Sequence, residues 1–168
     1  MNAVATTAGL SRDGATAQRA QYLTFMLGGE AFAIGILAIK EILEYDIPTS
    51  VPMMPGCIRG VINLRGAVVP VMDLSLRFGT PVSEVTKRTC VVIVEALRNG
   101  EAEDMGVVVD AVNAVVEIDV TEIEPSPSFG ASIRADFIHG LGKVDGKFIM
   151  LLNTDRVLDI GAGAGSLF

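Results

Sequence analysis

VINLRGAVVPVMD, residues 61–73, joins two apolar runs through a short turn. Ile58–Leu64 is the first run and Ala67–Leu74 the second, and both are rich in the β-branched residues that favour strands. Asn63–Gly66 lies between them and carries two residues typical of turns. Pro70 lacks a backbone donor, which confines the second run to a sheet edge or a bulge. The stretch therefore predicts two strands joined by a turn that contains an arginine, Arg65.

The same style of short strands and turns extends in both directions along the chain. Apolar alternation predicts strands, and glycine-containing dipeptides predict tight hairpins. Asn153 or Thr154 can cap a short helix at Asp155–Leu158. The further predicted strands and turns are a strand from Leu23 to Leu27, a turn at Gly28-Gly29, a return strand at Ala31–Ile34, an apolar strand from Ile36 to Leu43, a strand at Arg88–Ala96, a polar loop at Leu97–Asp104, a strand at Met105–Val109, another at Val112–Ile118, and a hairpin of Phe137–Val144 with Lys147–Leu152 around Asp145-Gly146.

Each half of the ordered chain thus has about five short strands and one proline-rich loop. This count predicts an all-β fold of two five-stranded β-barrels with a short C-terminal helix, although strand spacing alone also allows a sandwich. Residues 1–20 are expected to form a mobile tail and residues 161–168 a flexible C-terminus. The first barrel is predicted over about 21–84 and the second over about 85–160.

Composition excludes several classes of function. The formal net charge is −7 and aromatic residues make up 5 % of the chain, which argues against binding nucleic acid or an anionic membrane. No apolar stretch is long enough for a transmembrane helix, and no signal peptide is recognisable at the N-terminus. Cys57 and Cys90 lack metal-type spacing and are expected to be free thiols in a reducing compartment. These features predict a cytoplasmic protein without direct membrane insertion.

The residue types that enzymes need are sparse. His139 is the single histidine, so no Ser-His-Asp set can be assembled. The chain has no phosphate-binding Gly-x-x-x-x-Gly-Lys-Ser/Thr motif and no cluster of metal ligands. We therefore expect a binding protein without catalytic residues, metal or cofactor.

Several segments, in this order, carry a resemblance to a known family: Tyr22-Leu-Thr-Phe25-x-Leu-Gly28, Ile36-Leu-x-Ile39-Lys-Glu41-Ile42, Ile58-Arg-Gly60 through Asp73-Leu74, Gly106-Val-Val-Val-Asp110-x-Val112, Ile138-x-Gly140 and Leu151-Leu-Asn153. In this pattern the chain resembles the CheW family of bacterial chemotaxis coupling proteins, from about Tyr22 to Leu158. The block from Gly60 to Asp73 is the most specific part. Three places depart from the family: Ser75 stands where members often have Arg, Asn153 where many have Asp, and Gly56-Cys57 replaces the usual helix-side residues before Ile58.

The resemblance implies two SH3-like barrels and a non-enzymatic scaffold. Family members link the cytoplasmic tips of methyl-accepting chemoreceptors to the regulatory domain of the histidine kinase CheA, and are recruited to membrane-associated receptor arrays. The departures leave open a coupling protein of a non-flagellar chemosensory pathway. A small β-barrel ligand-binding module is the remaining alternative from another class.

A coupling protein works through surfaces, so candidate residues lie where apolar side chains meet charges. A seam between two barrels suits the apolar face of a receptor helix. Arg65 can cover apolar surface with its stem and pair with a carboxylate, for which Glu41 is the expected partner. Asn63 and Asp73 are expected either to hold turns or to contact the kinase. The candidates for the receptor groove are Ile36, Ile39, Glu41, Arg65, Val69 and Val109.

Overall fold

A computed structural model describes residues 18–125 and 134–160 of the chain. Most of the predicted N-terminal tail, the predicted flexible C-terminus and most of the second proline-rich loop lie outside these ranges. Arg19 and Ala20, which were assigned to the tail, are the first residues of a strand.

The described residues form ten strands, two short α-helices and three 3₁₀ turns. The strands are β1 Arg19–Leu27, β2 Glu30–Gly35, β3 Ile39–Glu44, β4 Ile58–Leu64, β5 Ala67–Asp73, β6 Cys90–Arg98, β7 Glu101–Val109, β8 Ala111–Asp119, β9 Ile138–Val144 and β10 Lys147–Leu152. The helices are α1 Leu74–Phe78 and α2 Thr154–Leu158, and the 3₁₀ turns are Ile36–Ala38, Val120–Glu122 and Ala135–Phe137.

These strands form two five-stranded sheets. One sheet has the order β9-β10-β2-β1-β8 and forms barrel A; the other has the order β3-β6-β7-β5-β4 and forms barrel B. Neighbours pair antiparallel except β2 with β10 and β5 with β7, which are parallel. The prediction of an all-β fold with two five-stranded units and a short C-terminal helix is confirmed.

The expected division of the chain near residue 84 does not match the sheets. Barrel B is continuous from β3 to β7, whereas barrel A takes β1 and β2 from the N-terminal side and β8 to β10 from the C-terminal side. The chain crosses to barrel B through the 3₁₀ turn Ile36–Ala38 and returns through a single residue, Asp110. Local patterns reveal where strands lie, but the parallel pairs that decide membership join residues far apart in sequence.

Four hairpins of the described chain turn through two residues, both with positive φ, as a type I′ turn requires. The predicted turns at Gly28-Gly29 and Asp145-Gly146 are confirmed. The polar loop predicted at Leu97–Asp104 is wrong, because the turn is only Asn99-Gly100 and both strands continue through the polar residues. Polar side chains on an exposed two-stranded ribbon face solvent without breaking it.

Pro70 lies in a different position from the one expected. Strand β5 is not at a sheet edge, since it lies between β4 and β7. Its pairing with β7 begins only at Val71, however, so Pro70 has a hydrogen-bonded neighbour strand on one side only. The missing donor is tolerated because the second ladder has not yet started there.

Three apolar clusters hold the fold. Two lie within the sheets: Val69, Val71, Val91, Ile93 and Val108 in barrel B, and Ala33, Ile118, Ile149 and Leu151 in barrel A. The largest, here called the inter-barrel core, joins the two sheets and both helices. A row of four rings runs through it, with centroids 6.0, 5.6 and 5.9 Å apart: Phe25, Phe32, Phe78 and Phe137.

Residues 58–78 and 138–158 build the same substructure in the two barrels, 80 positions apart. Each begins with a bulged strand, turns back through a hairpin and ends in a capped short helix. Gly60 and Gly140 occupy equivalent places, where a neighbouring backbone approaches closely. At Gly60 a Cβ atom would lie 2.2 Å from the carbonyl oxygen of Thr49, which pairs with Val61 in an isolated bridge.

We therefore expect Gly60→Ala to destabilise the protein by about 1–3 kcal/mol, because the bridge at Thr49 must move to admit the methyl group. Gly35→Ala is the matched control, since nothing lies within 4 Å of the added Cβ there. Urea unfolding of both variants checks the prediction. Equal midpoints for the two would contradict it.

Candidate docking site at the Glu41–Arg65 pair

The turn between β4 and β5 holds Arg65 in an unusual backbone conformation. Arg65 has φ +53° and Gly66 has φ +86°. The side-chain Oδ1 of Asn63 accepts a hydrogen bond of 2.9 Å from the backbone N–H of Gly66, which fixes the turn. This is a side-chain hydrogen bond of the kind expected for Asn63 from the sequence.

Arg65 forms a two-pronged ion pair with Glu41. Its Nη1 and Nη2 lie 2.6 and 3.1 Å from the two carboxylate oxygens. The Arg65 side chain is 73 % exposed and that of Glu41 25 % exposed. The hydrogen bond from Arg65 lowers the pKa of Glu41 below its ordinary value. The pair is therefore fully charged at neutral pH and open to a partner from the solvent side.

The pair also joins the two edge strands of barrel B. Glu41 lies on β3 and Arg65 follows β4, and these strands are at opposite ends of the sheet order. A hydrogen bond also joins these two edges: Nη1 of Arg59, on β4, donates at 2.9 Å to the hydroxyl of Tyr45, which follows β3. The open sheet thus curls until its edges meet.

Arginine is a poor choice for the backbone position that Arg65 occupies. Left-handed φ favours Gly, Asn and Asp, and the first residues of the other three tight turns are Gly28, Asn99 and Asp145. Each of those residue types suits the turn better than arginine does. An exposed ion pair adds little stability in return. Strain of this kind at an exposed side chain points to a function for the side chain.

Strand β3 carries apolar residues beside the ion pair. Ile39 and Ile42 pair across the sheet with Val94 and Val92 of the inter-barrel core, so both lie on the seam side of the strand. Ile36 and Ile39 are half-buried, and Ile42 is 43 % exposed. Glu41 pairs instead with Ile93 of the cluster inside barrel B, so the ion pair and the isoleucines flank the edge strand β3 from its two sides. Here the docking face means the surface along this edge, formed by Ile36, Leu37, Ile39, Glu41, Ile42 and Arg65.

Leu37 of the docking face was not among the sequence-predicted residues. It is 97 % exposed in the 3₁₀ turn that links the barrels. A leucine in an apolar run is normally expected in the core. The side chain of Leu37 faces solvent because the chain forms a 3₁₀ turn at this point instead of continuing as a strand. The sequence of the run Ile36–Ile42 indicates a surface with mixed apolar and charged residues, but it does not show which of its apolar side chains are exposed.

Two predicted groove residues are core residues instead. Val69 is 2 % exposed and belongs to the cluster inside barrel B, and Val109 is fully buried in the inter-barrel core. Neither side chain is accessible to a partner, so the prediction that they line a groove is wrong. Val109 ends a run of three buried valines and Val69 lies in the apolar strand β5, and in such continuous apolar runs sequence alternation cannot separate groove lining from core.

Asp73 serves the interior of the protein. Its carboxylate Oδ1 accepts hydrogen bonds from the backbone N–H groups of Ser75 and Leu76, which caps α1. Its Oδ2 accepts from Nε of Arg59 at 2.7 Å. These bonds to backbone N–H groups are the local role expected for Asp73. The residue is 3 % exposed, so its carboxylate does not face a partner. Arg59 was missed by sequence reasoning; its signal was a charged residue within the apolar run Ile58–Leu64.

Other chemistry is sparse in the part of the chain that the structure describes. No group of three or more His, Cys, Asp and Glu side chains in these residues is arranged to hold a metal ion. Their helices are too short to cross a lipid bilayer. His139 is exposed on β9.

Comparison with known proteins gives one consistent result. The model of the CheW-like domain matches residues 21–161. The chemotaxis protein CheW of Klebsiella aerogenes is 32 % identical over 138 residues, which cover 82 % of this chain and 81 % of that protein. The protein PilI of Pseudomonas aeruginosa is 31 % identical over 137 residues, with coverages of 80 % and 73 %.

A solved structure agrees with these matches. The crystal structure of the scaffolding protein TtCheW from Thermoanaerobacter tengcongensis superposes with a TM-score of 0.77 at 31 % identity, covering 90 % of this chain and 96 % of the other. The family model matches most of the chain, and the two relatives are matched over 81 % and 73 % of their own lengths. The chain therefore belongs to the CheW-like family, whose members are scaffolds that couple other signalling proteins.

Proposed function

We propose that this protein couples the cytoplasmic tips of methyl-accepting chemoreceptors to the histidine kinase CheA. The family membership supports a scaffold, and the docking face supplies a surface suited to a receptor helix. The observation that carries the proposal is the exposed Arg65–Glu41 pair, held by a turn in which arginine is conformationally unfavourable. The protein acts in the cytoplasm, at membrane-associated receptor arrays.

Receptor binding at the docking face follows from its chemistry. Ile39, Ile42 and Leu37 offer apolar contact to one face of a helix. Arg65 and Glu41 offer one charge of each sign, so a polar helix position beside the apolar face can pair with either. The charges give orientation and the apolar residues give affinity.

The CheA regulatory domain binds another part of the barrels in this proposal. Asp73 is buried and is therefore removed from the set of kinase contacts. Asn63 is exposed, but it holds the turn that carries Arg65, so it lies beside the docking face and is kept here as a turn residue rather than a kinase contact. A scaffold needs two separate surfaces, because partners that share one surface compete.

The experiment is a binding measurement with two purified partners, a receptor tip fragment and the CheA regulatory domain. The unaltered protein is expected to bind both, and Glu41→Ala is expected to weaken the receptor alone. Lys143→Ala is the control, since it removes an exposed positive charge on β9 of barrel A, outside the docking face. Binding of neither partner by the unaltered protein would reject the proposal.

The departures from the family pattern at Ser75 and Asn153 favour a second candidate, a coupling protein of a non-flagellar chemosensory pathway. The binding surfaces are the same in both cases, and only the receptors and kinase differ. Deletion of the gene followed by separate assays of swimming and of surface motility distinguishes the two. A defect in surface motility alone supports the second candidate.

A further inference from the structure

The two barrels are held together mainly by apolar packing. Hydrophobic attraction depends on buried area and has no preferred direction, so it does not by itself choose one angle between two smooth apolar faces. Directional contacts across the seam are therefore of particular interest. Among the described residues, the densest set of such contacts belongs to Arg77.

Arg77 lies on α1, after the last strand of the barrel B hairpin, and reaches the C-terminal end of α2, which follows the last strand of barrel A. Its Nε donates to the carbonyl of Val157 at 2.8 Å. Its Nη2 donates to the carbonyls of Arg156 and Asp159 at 3.2 and 2.5 Å. A cation at the C-terminus of a helix also meets the negative end of its backbone dipoles.

The guanidinium of Arg77 also stacks on an aromatic ring. Its Cζ lies 4.7 Å from the centroid of Phe137, the last ring in the aromatic row of the inter-barrel core. Phe137 precedes β9 and so belongs to barrel A, while Phe78, next to Arg77, belongs to barrel B. The planar cation is thus fixed from two sides, by the ring face and by the carbonyls.

This clasp is built only once in the two repeated substructures. The position equivalent to Arg77, 80 residues later, is Val157, whose carbonyl is one of the acceptors. The repeat therefore does not require an arginine there. The contact depends on how the two barrels meet.

The docking face straddles the same seam. Ile36 directly follows β2 of barrel A, whereas Ile39 pairs with Val94 of barrel B. Both are half-buried against the inter-barrel core. The 3₁₀ turn Ile36–Ala38 connects the two barrels, so the placement of Ile36 and Leu37 relative to Glu41 and Arg65 of barrel B depends on the angle between the barrels.

We propose that Arg77 is a positioning residue for receptor binding: by clasping α2 and Phe137 it sets the angle between the barrels, and with it the shape of the docking face. This inference rests on the proposed function for its link to the receptor. The part that concerns the angle stands independently of any partner.

The test uses the full-length protein with three readouts. Spin labels at Glu101 of barrel B and Lys147 of barrel A, both exposed, report the distance distribution between the barrels after Cys57 and Cys90 are replaced by serine. Affinities for the receptor tip fragment and for the CheA regulatory domain are measured in parallel. Lys143→Ala, which removes an exposed positive charge on β9 outside both the clasp and the docking face, is the control for charge.

Arg77→Ala is expected to shift or broaden the distance distribution and to weaken receptor binding by about tenfold, with kinase affinity nearly unchanged. Arg77→Lys keeps the positive charge but loses the planar guanidinium that bonds several carbonyls at once. Its receptor affinity should therefore fall between those of the unaltered protein and the alanine variant. If the alanine variant does not fold, Arg77→Gln, which keeps most of the stem, replaces it.

An unchanged distance distribution together with unchanged receptor affinity would overturn the inference. Equal losses for receptor and kinase, in proportion to a lower melting temperature, would also overturn it, since they mark general destabilisation. Failure of the unaltered protein to bind the receptor would instead reject the proposed function. The distance distribution alone would then decide whether Arg77 sets the angle.

Discussion

Arg65→Asn is expected to remove most receptor binding while the protein melts at an unchanged or slightly higher temperature. Asparagine adopts left-handed φ more readily than arginine, so the turn between β4 and β5 is relieved rather than disturbed. The variant nevertheless loses the guanidinium that faces solvent. Calorimetric titration with a receptor tip fragment should show affinity reduced at least about tenfold.

The charge-swapped double variant separates the two roles of this pair. Glu41→Arg combined with Arg65→Glu keeps an ion pair between β3 and the turn, but reverses the charges presented to a partner. If the pair only holds the barrel edges together, receptor binding should return. We expect it not to return. Full affinity in Arg65→Asn, or rescue by the swap, would contradict a direct contact between Arg65 and the receptor.

The second large effect is expected at Asp73, on stability. Asp73→Ala removes the cap of α1 and leaves the half-buried Arg59 guanidinium without its carboxylate. Loss of a helix cap and of one partner of a buried pair together should cost about 3–5 kcal/mol. For a chain of this size that lowers the melting temperature by roughly 6–20 °C, which calorimetry measures directly.

Asp73→Asn divides this effect into its two parts. The amide oxygen can still accept from Ser75 and Leu76, but the negative charge facing Arg59 is gone. The asparagine variant should therefore melt between the unaltered protein and the alanine variant. A melting temperature of Asp73→Ala within about 2 °C of the unaltered protein would show that the network contributes little.

Much of the fold could be predicted from sequence because hairpins are local. The turns at Gly28-Gly29 and Asp145-Gly146 carry residues that their backbone angles demand, and the flanking apolar runs pair with each other. The assignment of strands to barrels could not be predicted in this way. It depends on parallel pairs such as β2 with β10, for which no nearby residue gives a signal.

The docking site was predictable in part. Glu41 and Arg65 stood out because charges within apolar runs are uncommon, and the structure brings them together. Val69 and Val109 were misplaced because a buried strand and a groove-lining strand have the same composition. Arg77 was overlooked for a different reason: its acceptors are backbone carbonyls of α2, which leave no trace in side-chain patterns.

Simultaneous binding tests the central claim that this protein joins two partners through separate surfaces. Light scattering coupled to size exclusion should be recorded on the protein mixed with a receptor tip fragment and the CheA regulatory domain. A ternary complex is predicted, and Arg65→Asn should reduce it to the complex with the kinase domain alone. Two mutually exclusive binary complexes would contradict the claim, because competing partners cannot be coupled by one scaffold.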